Sequence, residues 1–177
     1  MPRITLIGYR GSGKTTLAAL LASRLGCSWN DADAVLESHV GSSIAAFISR
    51  YGEAAFRDEE ASILASEFQD FDGVLATGGG VVLRAENRRL LQQAFFPVVW
   101  LTASPNVIRE RLAADPSTAS QRPALSGTNP LDEVTEALVV REPLYRECAN
   151  HKVDVSERSP ESLAEAIVSW LRKGQLP

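Results

Sequence analysis

The sequence predicts an α/β domain built on a parallel β-sheet, and three observations carry that expectation. Short apolar runs of four to six residues alternate with segments of helical period, the pattern left by successive βαβ units. A glycine-rich stretch, Gly8-Tyr9-Arg10-Gly11-Ser12-Gly13-Lys14-Thr15, follows the first apolar run and opens the first amphipathic segment. The 177 residues suffice for one compact domain with a core and leave little room for a second, so residues 1–177 are read as a single domain.

In chain order, strands are expected at 3–7, 28–30, 74–77, 98–102 and 152–155, each a short apolar or β-favouring run bounded by turn residues. The first helix is expected at 14–25, because Leu17, Leu20, Leu21 and Leu25 fall on one face and Gly26 supplies a stop. Further helices are expected at 43–50, 53–68, 85–95, 105–114, 131–149 and 160–173. Ser104-Pro105 and Ser159-Pro160 each read as an N-cap followed by proline at the first helical position. Residues 115–130 carry three Pro, three Ser, two Thr and a Gly with no apolar period, the composition of a long loop.

Composition narrows the function classes. Hydrophobic residues at 45% and charged residues at 23% are ordinary for a globular protein. A net charge of -4 argues against a surface made to neutralise nucleic acid or anionic lipid. The start of the chain lacks the apolar core of a signal peptide, and no apolar run approaches the roughly 18 residues of a membrane span. A cytoplasmic location, no nucleic-acid partner and no membrane partner are therefore expected. Cys27 and Cys148 are read as ordinary buried or half-buried thiols.

The glycine-rich stretch matches G-x-x-x-x-G-K-[ST] in full and sits between a strand and a helix. In that setting backbone N–H groups and the helix N-terminus converge on a phosphate chain, Lys14 brings a point charge to it, and Thr15 Oγ can ligate Mg²⁺. A guanine-specific switch would need Asn-Lys-x-Asp, and the nearest stretch, Asn150-His151-Lys152-Val153-Asp154, has the wrong spacing. Asp70-Phe71-Asp72-Gly73 fits Asp-x-x-Gly, yet it precedes its strand and is read as a turn. The loop alone does not separate kinases from nucleotide switches or from ATP-driven machines.

Three further groups concern the acceptor. Asp31 and Asp33 follow the second strand, where phosphoryl transfer needs one acid near the metal and one near the attacking hydroxyl; as an Asp-x-Asp before a helix they read equally as an N-cap pair, and Asp33 is a plausible cap. Arg57 and Glu60, spaced i,i+3, read by spacing alone as a surface pair. Thr77-Gly78-Gly79-Gly80 ends the third strand where a metal-binding Asp would commonly stand, and three glycines point to a close backbone approach.

These stretches, together with Arg122-Pro123 and Arg141-Glu142-Pro143-Leu144-Tyr145, resemble the shikimate kinases over nearly the whole length. The resemblance implies a three-layer α/β/α P-loop kinase fold with a five-stranded parallel sheet, helices on both faces and a mobile lid at about 112–129. It implies a phosphate-binding loop at 8–16 and a helical substrate-binding segment at about 31–62. The implied reaction is transfer from ATP with Mg²⁺ to the 3-hydroxyl of shikimate, in the route to chorismate and the aromatic amino acids, by an enzyme expected to be a monomer.

By the same resemblance, Asp33, Lys14 and Arg122 are catalytic, and Asp33, Arg57, Glu60, Gly78, Gly79, Gly80 and Arg141 hold shikimate. Gly11, Ser12, Gly13, Lys14, Thr15, Thr16, Arg111, Arg122, Arg158 and Pro160 hold the nucleotide, the last two and Arg111 on the adenine side. Thr15 and Asp31 hold the metal. The chain departs from the common lid pattern in reading Arg122-Pro123-Ala124-Leu125 where many members have Arg-Pro-Leu-Leu.

Overall fold

A computed structural model describes residues 4–95, 97–115 and 133–174. Its five strands are β1 (Ile4–Ile7), β2 (Ser28–Asp31), β3 (Gly73–Ala76), β4 (Val98–Thr102) and β5 (His151–Asp154). They pair in parallel in the order β2-β3-β1-β4-β5. The chain leaves β1 toward one edge of the sheet and returns to fill the other, so a crevice opens at the carboxyl end of β1, the switch point where ligands bind in open α/β sheets.

Strict alternation along the inner strands explains why both sheet faces are covered. Ile4, Leu6, Val74, Ala76, Val99 and Leu101 point to one face, against α1 (Lys14–Leu25) and α7 (Pro160–Arg172). Ile7, Leu75, Val98 and Trp100 point to the other, where they join Phe56, Ile63, Leu91 and Tyr145. That layer contains α3 (Ile44–Ser66), α4 (Ala85–Gln93) and α6 (Glu133–Cys148). A smaller cluster of Tyr9, Ile108, Leu112 and Val134 ties the phosphate loop to α5 (Pro105–Ala114) and α6. Cys148 is buried and Cys27 half-buried.

The expected elements form with small shifts of boundary, and two differences matter. The helices expected at 43–50 and 53–68 are both present within α3, separated at Gly52, whose non-helical backbone (φ 87°) only glycine adopts readily. A helix absent from the periodic reading, α2 (Ala32–Val40), starts directly at the end of β2 and has Asp33 in its first turn. Its N-cap is Asp31, whose Oδ1 accepts from the Asp33 N–H at 3.0 Å, and not Asp33. No helix among the described residues is long and apolar enough to cross a membrane.

Candidate active site

The loop after β1 curls through two left-handed glycines, Gly11 (φ 76°) and Gly13 (φ 85°), and delivers Lys14 to the first turn of α1. Lys14 Nζ donates to the loop carbonyls of Gly8 (2.8 Å) and Tyr9 (3.0 Å), which keeps the ammonium inside the curl. Thr15, next on α1, donates its hydroxyl to Asp31 Oδ2 at 2.6 Å. Phosphate loop and β2 are thereby joined by a hydroxyl–carboxylate pair at the sheet's carboxyl edge.

A cleft of about 450 Å³ opens there. Gly11, Gly13, Lys14, Thr15, Thr16, Asp31, Asp33 and Gly79 line it, as the sequence reading expects, and Arg10, Glu37 and Thr77 line it as well. Asp33 and Glu37 are one turn apart on α2, and Glu37 Oε1 accepts from the Ile44 N–H at the start of α3.

The three glycines after β3 explain one another. A Cβ on Gly78 would stand 2.5 Å from Asp33 Oδ1 and 2.9 Å from Glu60 Oε1. On Gly79 it would stand 2.9 Å from the Arg10 backbone N, and on Gly80 it would overlap the Arg57 guanidinium. Each glycine therefore admits a different part of the site: the carboxylates of α2 and α3, the phosphate loop, and the cation of α3.

Arg57 and Glu60 are not the surface pair that their spacing suggests. They are 7% and 6% exposed, joined at 2.8 Å, with Phe56 stacked under the guanidinium at 4.8 Å. A second carboxylate, Glu53, accepts from Arg57 Nη2 at 3.1 Å. Burial works against the Arg57 charge, but Glu60 and Glu53 outweigh it and hold its pKa above the ordinary arginine value. Arg57 Nε and Glu60 Oε1 are buried with no hydrogen-bond partner among the described residues.

Arg141 on α6 donates from Nη1 to the Gly79 carbonyl at 3.1 Å and lies over the Tyr9 ring at 5.2 Å. Arg57, Glu60, Gly78, Gly80 and Arg141 thus form the back of the site, behind the residues that line the cleft. Arg111 bridges the phosphate loop to the segment after β5, donating to Gly11 O (3.3 Å) and Val155 O (2.8 Å). Arg158 donates to Ser162, and Pro160 is the first residue of α7; neither lines the cleft. Arg122 and all of the expected lid beyond Asp115 lie outside the described residues. Sequence reasoning gave no role to Arg10, Glu37, Glu53 or Tyr145. For Glu53 a signal existed, since it precedes Arg57 by one helical turn.

Fold and cleft together define a P-loop phosphotransferase: a phosphate-binding loop at the switch point of a parallel sheet, with acidic and cationic side chains facing it across the same cleft. The shikimate kinase family profile matches residues 10–172. A shikimate kinase of Rhodopirellula baltica is 40% identical over 163 residues, 92% of this chain and 87% of that one. One of Oleidesulfovibrio alaskensis is 43% identical over 157 residues, 89% and 90% of the two chains. The solved shikimate kinase of Acinetobacter baumannii in complex with shikimate superposes with a TM-score of 0.89 at 32% identity, covering 98% of this chain and 94% of that one. The chain belongs to the shikimate kinase family, whose members transfer a phosphoryl group from ATP.

Proposed function

We propose that the chain carries out its family's reaction, moving the γ-phosphoryl group of ATP to the 3-hydroxyl of shikimate, through the residues gathered around residues 78–80. The observation that carries this reading is the three-way packing at those glycines, which sets Asp33, the phosphate loop and the buried Arg57 on consecutive residues. The relative solved with shikimate bound supports the choice of acceptor.

The roles follow from chemistry. The loop N–H groups and Lys14 hold the phosphates of ATP. Arg57 and Arg141 meet the shikimate carboxylate, for which the unpartnered Arg57 Nε is a ready donor; Glu60 keeps Arg57 in place. The amides of the glycine run add neutral donors. Asp33 orients the 3-hydroxyl and takes its proton as the new O–P bond forms and the bond from the γ-phosphorus to the bridging oxygen breaks, releasing ADP. Arg122 is assigned to the transferring phosphoryl group, and Arg111, Arg158 and Pro160 to the adenine side.

Magnesium fits the donor set. Thr15 Oγ1 and Asp31 Oδ2 are hard oxygen donors already in contact, and no group of three or more metal-ligating side chains competes among the described residues. Sparse protein ligation of this kind is what Mg²⁺ accepts when phosphates and water complete its shell. When bound, the ion neutralises phosphate charge as it shifts toward the leaving group.

The test is ADP formation from Mg-ATP with shikimate, with gluconate, with quinate and with no acceptor. Turnover with shikimate far above the other three is expected. Equal turnover with and without shikimate would reduce the protein to a nucleotide hydrolase.

A further inference from the structure

We infer that Tyr145 is a positioning residue for the acceptor, acting through the peptide between Gly79 and Gly80. The inference rests on the shikimate kinase reading of the site, and adds to it the hydrogen bond and ring packing of Tyr145.

Tyr145 follows Arg141 by one turn of α6, so the two side chains leave the same face of the helix. Both end on one atom: the Tyr145 hydroxyl and Arg141 Nη1 each donate to the Gly79 carbonyl oxygen. A carbonyl has two lone pairs, and here α6 occupies both. The phenol ring has little freedom, being 1% exposed and stacked on Trp100 of β4 at 5.8 Å between centroids, 22° from parallel. Burial, the main cause, raises its pKa well above that of an ordinary phenol, so the hydroxyl keeps its proton and remains a donor across the working range.

What this clamp holds is the centre of the acceptor site. A peptide is planar and trans, so fixing the Gly79 carbonyl toward α6 turns the Gly80 N–H to the opposite side. Gly80 is the residue against the Arg57 guanidinium, and Gly79 rests on the Arg10 backbone. The Gly78 and Gly80 carbonyls accept from the Val81 and Leu83 N–H groups at 3.2 and 3.0 Å, and the Gly79 carbonyl between them is held by α6. Tyr145 supplies a second, neutral donor, so the peptide keeps its direction and Arg141 keeps its anchor when the Arg141 guanidinium also engages a carboxylate.

Tyr145→Phe removes only the O–H and keeps the stacked ring. Loss of one neutral hydrogen bond predicts a shikimate KM raised about threefold to tenfold, with kcat within about twofold of the parent and an unchanged Kd for ATP. Ile167→Ala, in the core layer on the opposite face of the sheet, serves as the packing control, expected to lower the melting temperature while leaving the shikimate KM at the parental value. A parental KM in Tyr145→Phe, or a loss confined to kcat and thermal stability in both variants, would make Tyr145 a core residue only. A parent enzyme without shikimate-dependent turnover would instead overturn the activity on which the inference rests.

Discussion

Residues 8–15 and the residues around 78–80 face the same cleft but are built in different ways. The phosphate loop works through the backbone of consecutive residues, with Lys14 held on its own carbonyls. The acceptor side is assembled from side chains of α2, α3 and α6 that meet only because the glycine run lets them approach. One is a local structure that any compatible sheet can carry. The other is part of the core, and its ionic groups are buried within the apolar layer of Phe56, Ile63 and Leu64. Substitutions on the first side should therefore cost rate with little stability, whereas those on the second should cost both.

The largest rate effect is expected at Lys14. Lys14→Met removes a preorganised cation from the transferring phosphate and should lower kcat about 10²- to 10³-fold, with thermal unfolding close to the parent. A large drop in melting temperature would blur the contrast. Arg57→Ala is the counterpart on the acceptor side: it leaves Glu60 buried without its partner, so a loss of about 3–5 kcal/mol in denaturant unfolding is expected, together with a raised shikimate KM and a parental Kd for ATP. Unchanged stability in that variant would mean that the pair is not built into the core.

Glu53→Gln sharpens the comparison within the acceptor side. Glu53 is 39% exposed and holds the outer edge of Arg57, so its neutralisation should cost at most about 1 kcal/mol of stability, well below the Arg57 effect. Paired denaturant titrations decide the order. The smallest effect is expected outside both halves, at His151 on β5, whose ring stacks on Trp170 at 4.4 Å. Burial lowers the His151 pKa below its ordinary 6.5, so the unfolded chain takes up the proton first. Its contribution to stability should be fully present above pH 6.5 and fall as pH drops through the lowered value. His151→Phe should flatten that part of the melting-temperature profile relative to the parent.

The same contrast governs what could be read from the sequence. The phosphate loop is legible because its function lies in eight neighbouring residues with a fixed spacing. The positions of the strands and of most helices follow from periodicity, whereas the strand order and the helix at Ala32–Val40 leave no such signal. Spacing alone misjudged the Arg57–Glu60 pair because a charged i,i+3 pair normally faces water. Phe56, Glu60, Ile63 and Leu64 nevertheless fall on one helical face, and that apolar company is the signal of burial. Asp31 and Asp33 could not be told apart as caps, because either fits a β-strand running into a helix; only the position of the first turn of α2 decides it. The Tyr145 contact with Gly79 spans 66 residues of chain and has no local signature at all.

Asp33→Asn provides the most direct test of the central claim, that the acceptor hydroxyl is activated at Asp33 against the glycine run. With Asp31 as the cap of α2, the change keeps the helix start and the size of the side chain and removes only the proton acceptor. Single-turnover transfer of the γ-phosphoryl group to shikimate should slow by about 10²-fold or more while ATP and shikimate bind nearly as in the parent. Transfer at the parental rate would contradict the account and leave the reaction without its base.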